Sequence, residues 1–257
     1  MPEGECGEAR FASAYFQGQV ARRQISRRGA PSRTILPCRP PNILAQKLPA
    51  IYLLHGGDGS FRDWTNDSAV AHYAEPGLGL VMPDGDDSYS DGRPSDRYGD
   101  HIIQDLIKDV ETRFPVSADR KQRALVGISM GSFGAVKLAL KYPDLFFLCG
   151  GLSSALDVPI RPFAMKRGQW RHHRSIFGPW NGQHQRENDR LLLARIANPV
   201  RTPYLFLTCG QQEGLLSSNR RLATILDERE FPNEFLQFRQ VTIGTSGMIS
   251  FRSVYEV

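Results

Sequence analysis

One serine stands where a nucleophile for acyl transfer would stand. Gly127-Ile128-Ser129-Met130-Gly131 reads G-x-S-x-G. Residues 123–126 before it are apolar apart from Arg123 and fit a buried parallel strand. Residues 132–141 after it carry Phe133, Val136, Leu138 and Leu140 among small residues, and Tyr142-Pro143 closes them. That is a helix with a proline stop. Strand, tight turn and helix is the setting in which this pattern puts a serine at the apex of a strained turn. The flanking glycines remove side chains that would clash there. The helix N-terminus aims free N–H groups at the point where negative charge develops. The competing reading is a chance G-x-S-x-G in an ordinary turn, and the neighbours on both sides argue against it.

A second glycine-rich turn fits the same chemistry. The buried strand Ala50–Leu54 runs into His55-Gly56-Gly57-Asp58-Gly59-Ser60. Glycines let the backbone approach a ligand and turn its N–H groups inward. Gly56 and Gly57, with Met130 after the serine, are the candidate oxyanion hole. The alternative is a plain strand-to-loop turn. His55 reads as a packed loop residue rather than a general base.

The elements that must position these residues alternate along the chain. Residues 78–82 form a second buried strand, ended by Pro83-Asp84-Gly85, and a polar loop follows to Arg97. Asp100 fits the N-cap of a helix with Ile102, Ile103, Leu106, Ile107, Val110 and Phe114 on one face. Further strands are expected over 145–149 and 203–208, and a helix over 219–228. Residues 1–47 are the least regular, with possible edge strands at 11–15 and 32–36; Pro37, Pro40 and Pro41 end the second. The alternation gives an α/β class with a mainly parallel sheet and helices on both faces.

Residues 159–190 break the alternation. They hold Phe163, Trp170, His172, His173, Phe177, Trp180 and several arginines. An insertion here lies beyond the C-terminal edge of the sheet, where α/β folds bind ligands. It is either a lid, with Trp170, His172 and His173 near the pocket, or a surface excursion with its own aromatic cluster.

Composition excludes several classes. The net charge is +5, much of it in residues 22–33 and 161–174. The first run lacks interleaved aromatics, and neither reads as a nucleic-acid site. The four cysteines show neither C-x-x-C pairing nor metal-ligand spacing, so no metal is expected. Cys149 and Cys209 follow apolar runs, as buried small hydrophobes do. No apolar run approaches a membrane span. The acidic N-terminus lacks the apolar core of a signal peptide, so a cytoplasmic location is expected.

With these stretches in place, the chain resembles serine hydrolases of the α/β-hydrolase fold. Within that fold it is similar to the putative-esterase (esterase D-like) family. The matching stretches are Tyr52-Leu53-Leu54-His55-Gly56-Gly57, Val81-Met82-Pro83-Asp84-Gly85, Gly127-Ile128-Ser129-Met130-Gly131 and Leu207-Thr208-Cys209-Gly210-Gln211-Gln212-Glu213. The resemblance implies Ser129 as nucleophile and Glu213 as the acid that orients a histidine, where aspartate is usual. A solvated loop carboxylate is the other reading of Glu213, and Asp157 is the next candidate acid. No cofactor is implied. The partner is a small-molecule or carbohydrate-linked ester, with no nucleic acid or membrane involved.

The departure is the histidine. The family carries it about thirty residues after the acid, in a Gly-His-x-Trp-x-x-Trp stretch, yet this chain has no histidine after His184. Its tail, residues 241–257, is aberrant. Codons for residues 240–249, read from each third base, can spell Gly-His-His-Trp-Asp-Gln-Trp-Asn-Asp. That contains the family's stretch at the family's distance from Glu213. The tail is therefore read as a frameshifted version of an intact esterase gene, natural or from a sequencing error. The domain limits follow: an irregular segment 1–47, an α/β-hydrolase domain 48–240 with its insertion at 159–190, and the tail. Three functions stay open: a serine esterase impaired by the missing base, an acyltransferase on the same acyl-enzyme, and a catalytically dead binding protein. Acyl and alcohol specificity and oligomeric state are not encoded in any motif.

Overall fold

Eight strands share one sheet. In chain order they are β1 (Arg23–Gln24), β2 (Pro31–Ile35), β3 (Ala50–Leu54), β4 (Gly79–Pro83), β5 (Arg123–Ile128), β6 (Leu148–Leu152), β7 (Tyr204–Gly210) and β8 (Asn233–Phe238). Their order across the sheet is β1-β2-β4-β3-β5-β6-β7-β8. The six from β4 to β8 run parallel, and β2 joins β4 antiparallel. This is the α/β-hydrolase fold expected from the sequence. The computed structural model describes residues 23–24, 31–35, 47–70, 77–85, 97–157, 167–239, 242–243 and 249–250. For the short strands at either end, for 167–169 and for His172, it describes the backbone alone. The strand expected over 11–15 lies outside these residues.

Side-chain alternation in β3 separates the two faces. Ala50, Tyr52 and Leu54 join the larger core, while Ile51 and Leu53 face the smaller one. Helix α1 (Asp63–Asn66) covers the smaller face, where Trp64 packs with Phe61, Leu80 and Met82. The larger face carries α2 (residues 98–113), α3 (Met130–Lys141), α6 (Arg190–Ile196) and α7 (Leu216–Glu228). Between α3 and α6 run α4 (Arg167–Phe177) and α5 (Gln183–Glu187). Helices thus lie on both faces, unequally. Among the described residues, no helix is long and apolar enough to cross a membrane, and no cluster of His, Cys, Asp and Glu could hold a metal ion.

Several boundaries differ from the sequence reading. Asp100 is not an N-cap: α2 starts at Tyr98, and Asp100 sits in its first turn, paired with Arg97. Through His101–Leu106 that helix widens into π geometry. The strand expected over 145–149 is β6, three residues later, because Pro143–Leu145 makes a 3₁₀ turn first. Gly150 and Gly151 therefore lie inside the strand. A Cβ on Gly151 would stand 2.7 Å from a Leu207 methyl and 2.8 Å from Ser132 Oγ, so close packing needs the glycine. Helix α7 starts at Leu216 rather than 219, with Ser218 Oγ donating back to the Leu215 carbonyl at 2.9 Å. Two serines read as loop are absorbed into a first turn in this way. The β8 strand has no counterpart in the sequence reading. It mixes polar and half-buried residues at the sheet edge, where alternation is weak.

Candidate active site

The strands deliver the candidate residues to one edge. Leu54 pairs with Gly127, Ile128 with Leu152, and Leu152 with Thr208. Just past those positions stand Gly56, Ser129, Ser153 and Cys209. Ser129 is the turn between β5 and α3, with φ 51° and ψ −110°. A non-glycine residue there is strained, of order 1–3 kcal/mol. The surrounding bonds hold it: Ser129 N–H donates to the Leu152 carbonyl at 2.8 Å, and its own carbonyl accepts from Phe133 at 3.0 Å and Ala155 at 3.3 Å.

The glycines of the turn are sterically required. A Cβ on Gly127 would lie 2.2 Å from the Gly131 carbonyl carbon, and one on Gly131 would lie 2.1 Å from the Leu54 oxygen. Strand, turn and helix interlock at distances that leave no room for a methyl group. The Ser129 hydroxyl caps nothing in α3. Among the described residues it has no hydrogen-bond partner and is half-buried. It is a strained, available hydroxyl at a helix N-terminus.

The loop after β3 borders this serine. A Cβ on Gly56 would sit 3.9 Å from Ser129 Cβ, and one on Gly57 would sit 4.0 Å from Met130 Cβ. Gly56 and Gly57 therefore lie against Ser129 and Met130. His55 is fully buried beneath that loop. Its Nδ1 is 2.7 Å from the Gly56 carbonyl, and its Nε2 is 2.9 Å from the Gly85 amide and 3.1 Å from Asp84 Oδ1. Nδ1 is held within its own loop and Nε2 ties that loop to the one after β4, which suits a packed loop residue.

Glu213 follows β7, half-buried and apart from Ser129. Its Oε1 accepts from Ser153 Oγ at 3.0 Å and from the Gly210 amide at 3.3 Å, and Cys209 Sγ is 3.5 Å from Oε2. Burial, reinforced by this carboxylate, pushes the Cys209 thiol up to about 12. Asp157, the other candidate acid, is buried on the loop after β6. The Gln211 amide donates to the Phe238 carbonyl at 2.8 Å, so the chain leaves β8 beside the Glu213 turn. Beyond that point the described pieces of the tail, Thr242–Ile243 (β9) and Ile249–Ser250 (β10), pair with each other in a separate two-stranded sheet.

The insertion reaches the same region through aromatic contacts. Phe177 meets Phe133 edge-on at 5.7 Å, His173 lies 4.9 Å from Phe177, and Trp170 stacks on His173 at 6.2 Å. Helix α4 is thereby seated on the first turn of α3. His173 is buried and Trp170 is exposed; the side chain of His172 and residues 158–166 lie outside the described residues. The sequence reading missed Ser153, Ser154 and Asn219, which are buried polar groups at this edge. A Ser-Ser pair just after an apolar strand was the one signal available.

The family described as Putative esterase matches residues 32–242. The chain belongs to that esterase family. By family it is a serine esterase, a hydrolase of carboxylic esters. An acetyl esterase of Caldicellulosiruptor saccharolyticus is 26% identical over 209 residues, covering 75% of this chain and 78% of that protein. A diacylglycerol acyltransferase/mycolyltransferase (Ag85B) of Mycobacterium leprae is 30% identical over 184 residues, with 63% of this chain and 55% of that protein covered. The esterase thus spans about half the length of the mycolyltransferase. Among solved structures, the fluorophosphonate-binding serine hydrolase F of Staphylococcus aureus superposes with a TM-score of 0.72 at 22% identity, covering 86% of this chain and 89% of that one. An S-formylglutathione hydrolase of the same organism gives the same TM-score and identity. At that identity the two share the esterase's fold.

Proposed function

We propose that the chain is built as a serine carboxylic-ester hydrolase that works through an acyl-enzyme on Ser129. The observation that carries this is the Ser129 hydroxyl, held at a positive φ at the N-terminus of α3 beside Gly56 and Gly57. Ser129 Oγ attacks the acyl carbon of a small or carbohydrate-linked ester, and the acyl C–O bond breaks to release the alcohol and leave the acyl-enzyme. The N–H groups at Gly57 and Met130 stabilise the oxyanion. Water then releases the acid. Glu213 orients the base, and its bonds to Ser153 and the Gly210 amide support that role by fixing the carboxylate at the edge of the sheet.

In this reading the base is missing from the family's position after the acid. None of its six histidines follows His184, and without one a serine hydroxyl keeps a high pKa. Two observations support a frameshifted tail. The chain leaves β8 next to the Glu213 turn, where a histidine would have to arrive, and the tail pieces pair only with themselves among the described strands. On this reading the esterase domain is 48–240, the segment 1–47 precedes it, the insertion at 159–190 is a lid, and 241–257 is the displaced stretch. The nucleotide sequence across codons 237–257 tests the frameshift directly.

The acyl-enzyme assignment is tested with p-nitrophenyl acetate. Turnover should vanish in Ser129→Ala and persist, though weakly, in the parent. Equal turnover in both overturns it. The mycolyltransferase relatives favour a second reading, in which an alcohol or sugar takes the acyl group. Transfer product formed at the expense of acid, with such an acceptor present, selects it.

A further inference from the structure

The segment from Leu152 to Ala155 touches both halves of the site. Leu152 accepts from the Ser129 amide at 2.8 Å, and the Ala155 amide donates to the Ser129 carbonyl at 3.3 Å. Between them, Ser153 Oγ donates to Glu213 at 3.0 Å. The segment is also strained, since Ser153 is fully buried at φ 45°. Something outside it must hold that conformation.

Asn219 does so. It stands in the first turns of α7, six residues after Glu213, and is fully buried. Its Nδ2 donates to the Ser154 carbonyl at 2.8 Å and the Leu215 carbonyl at 2.9 Å, and its Oδ1 accepts from the Ser154 amide at 3.3 Å. A side-chain amide offers a donor and an acceptor side by side, so it grips both backbone groups of one residue as a neighbouring strand would. On the other side, Ser154 Oγ bonds Ser132 Oγ in α3. A Cβ on Gly151 would come within 2.8 Å of Ser132 Oγ and 3.0 Å of Ser154 Oγ, so the pocket for this pair is fitted.

We propose that Asn219 is a positioning residue of the esterase site. It clamps the backbone of Ser154, and the clamped segment holds the Ser129 turn in place through the bonds at Leu152 and Ala155. The proposal rests on the role given above to Ser129. Asn219 touches no reacting atom.

The test compares the full chain with Asn219→Leu, Asn219→Asp and Leu226→Ala. Leu226 is a buried core residue on the same helix and takes part in none of the hydrogen bonds of the clamp. It supplies a loss of stability without loss of the clamp. The readouts are kcat and KM on p-nitrophenyl acetate, corrected with Ser129→Ala, and amide exchange of residues 152–157. Asn219→Leu should lower kcat about tenfold, leave KM within about twofold, and speed exchange of the segment. Asn219→Asp keeps the shape but turns a carboxylate oxygen toward two carbonyls, and should match or exceed that loss. Leu226→Ala, at an equal fall in urea midpoint, should change neither readout. If Asn219→Leu and Leu226→Ala lose kcat equally at matched stability, or Asn219→Asp behaves as the parent, the proposal is overturned. If parent turnover does not depend on Ser129, the esterase reading fails instead. The exchange arm then decides alone: unchanged protection in Asn219→Leu refutes the clamp.

Discussion

The Gln211 amide donates to the Phe238 carbonyl at 2.8 Å. That bond joins the turn carrying Glu213 to the last residue of β8, so the chain leaves β8 beside that turn. A triad needs an imidazole between acid and nucleophile. Ser129 and Glu213 are linked through Leu152 and Ser153 and do not touch.

In the proposed mechanism Glu213 acts only through a base. Glu213→Gln should then change the rate of the chain as written by less than about twofold, because in that reading no histidine stands in the family's position for it to orient. In a chain given a histidine-bearing tail, the same substitution should lower kcat by about 10³–10⁴-fold, the scale seen when a triad acid becomes its amide. Steady-state assays of the four proteins check this. Equal sensitivity in both backgrounds contradicts it.

Gly131 supports the turn sterically. An alanine Cβ there would sit 2.1 Å from the Leu54 oxygen and 2.5 Å from the His55 oxygen, both backbone atoms of the central strand and its loop. Neither can move without shifting β3. Gly131→Ala should cost about 3 kcal/mol, a fall in Tm of roughly 6–10 °C for a chain of this size. Gly214→Ala, with nothing within 4 Å of the added carbon, is the neutral control. Thermal melts of the two variants test the contrast.

The buried thiols give a pH signature. Burial raises both Cys149 and Cys209 to about 12, against 9.0 for a free thiol. Since the thiolate is the nucleophile, native protein at pH 8 should resist iodoacetamide at these two positions and react fully once unfolded. The folded state holds these protons more tightly than the unfolded one. Its stability from them is complete below pH 9 and declines as pH rises toward 12. Peptide mapping and urea midpoints between pH 8 and 11 check both statements.

Much of this was legible in the residues. Apolar runs at 50–54, 78–82 and 123–126 mark the central parallel strands because such strands are buried on both faces. The G-x-S-x-G turn is visible because close backbone approach demands glycine at 127 and 131, and the His55-Gly56-Gly57 loop because it ends a clear apolar strand. The β6 boundary was not legible, since Gly150-Gly151 reads as a turn, while the packing of Leu207 and Ser132 requires two glycines inside the strand. Edge strand β8 was missed because half-exposure blurs its alternation. The clamp of Asn219 on Ser154 joins residues 65 apart, and no local pattern announces it.

The missing base is the central claim, and two activities measure it. As written, the chain should hydrolyse p-nitrophenyl acetate weakly. A chain with residues 241–249 replaced by Gly-His-His-Trp-Asp-Gln-Trp-Asn-Asp, the reading in the shifted frame, should gain on the order of 10³-fold or more in kcat/KM. Imidazole is the side chain whose unperturbed pKa lets it take the Ser129 proton near neutral pH. The rival bases are His172 and His173 on α4, the latter buried against Trp170 and Phe177. The deciding measurement is kcat/KM for the chain as written, for the tail replacement, and for the chain as written with both of those histidines changed to alanine. The account expects a low rate, a large gain, and no further loss. Full turnover in the chain as written, abolished by the two alanines, would contradict it and assign the base to the insertion.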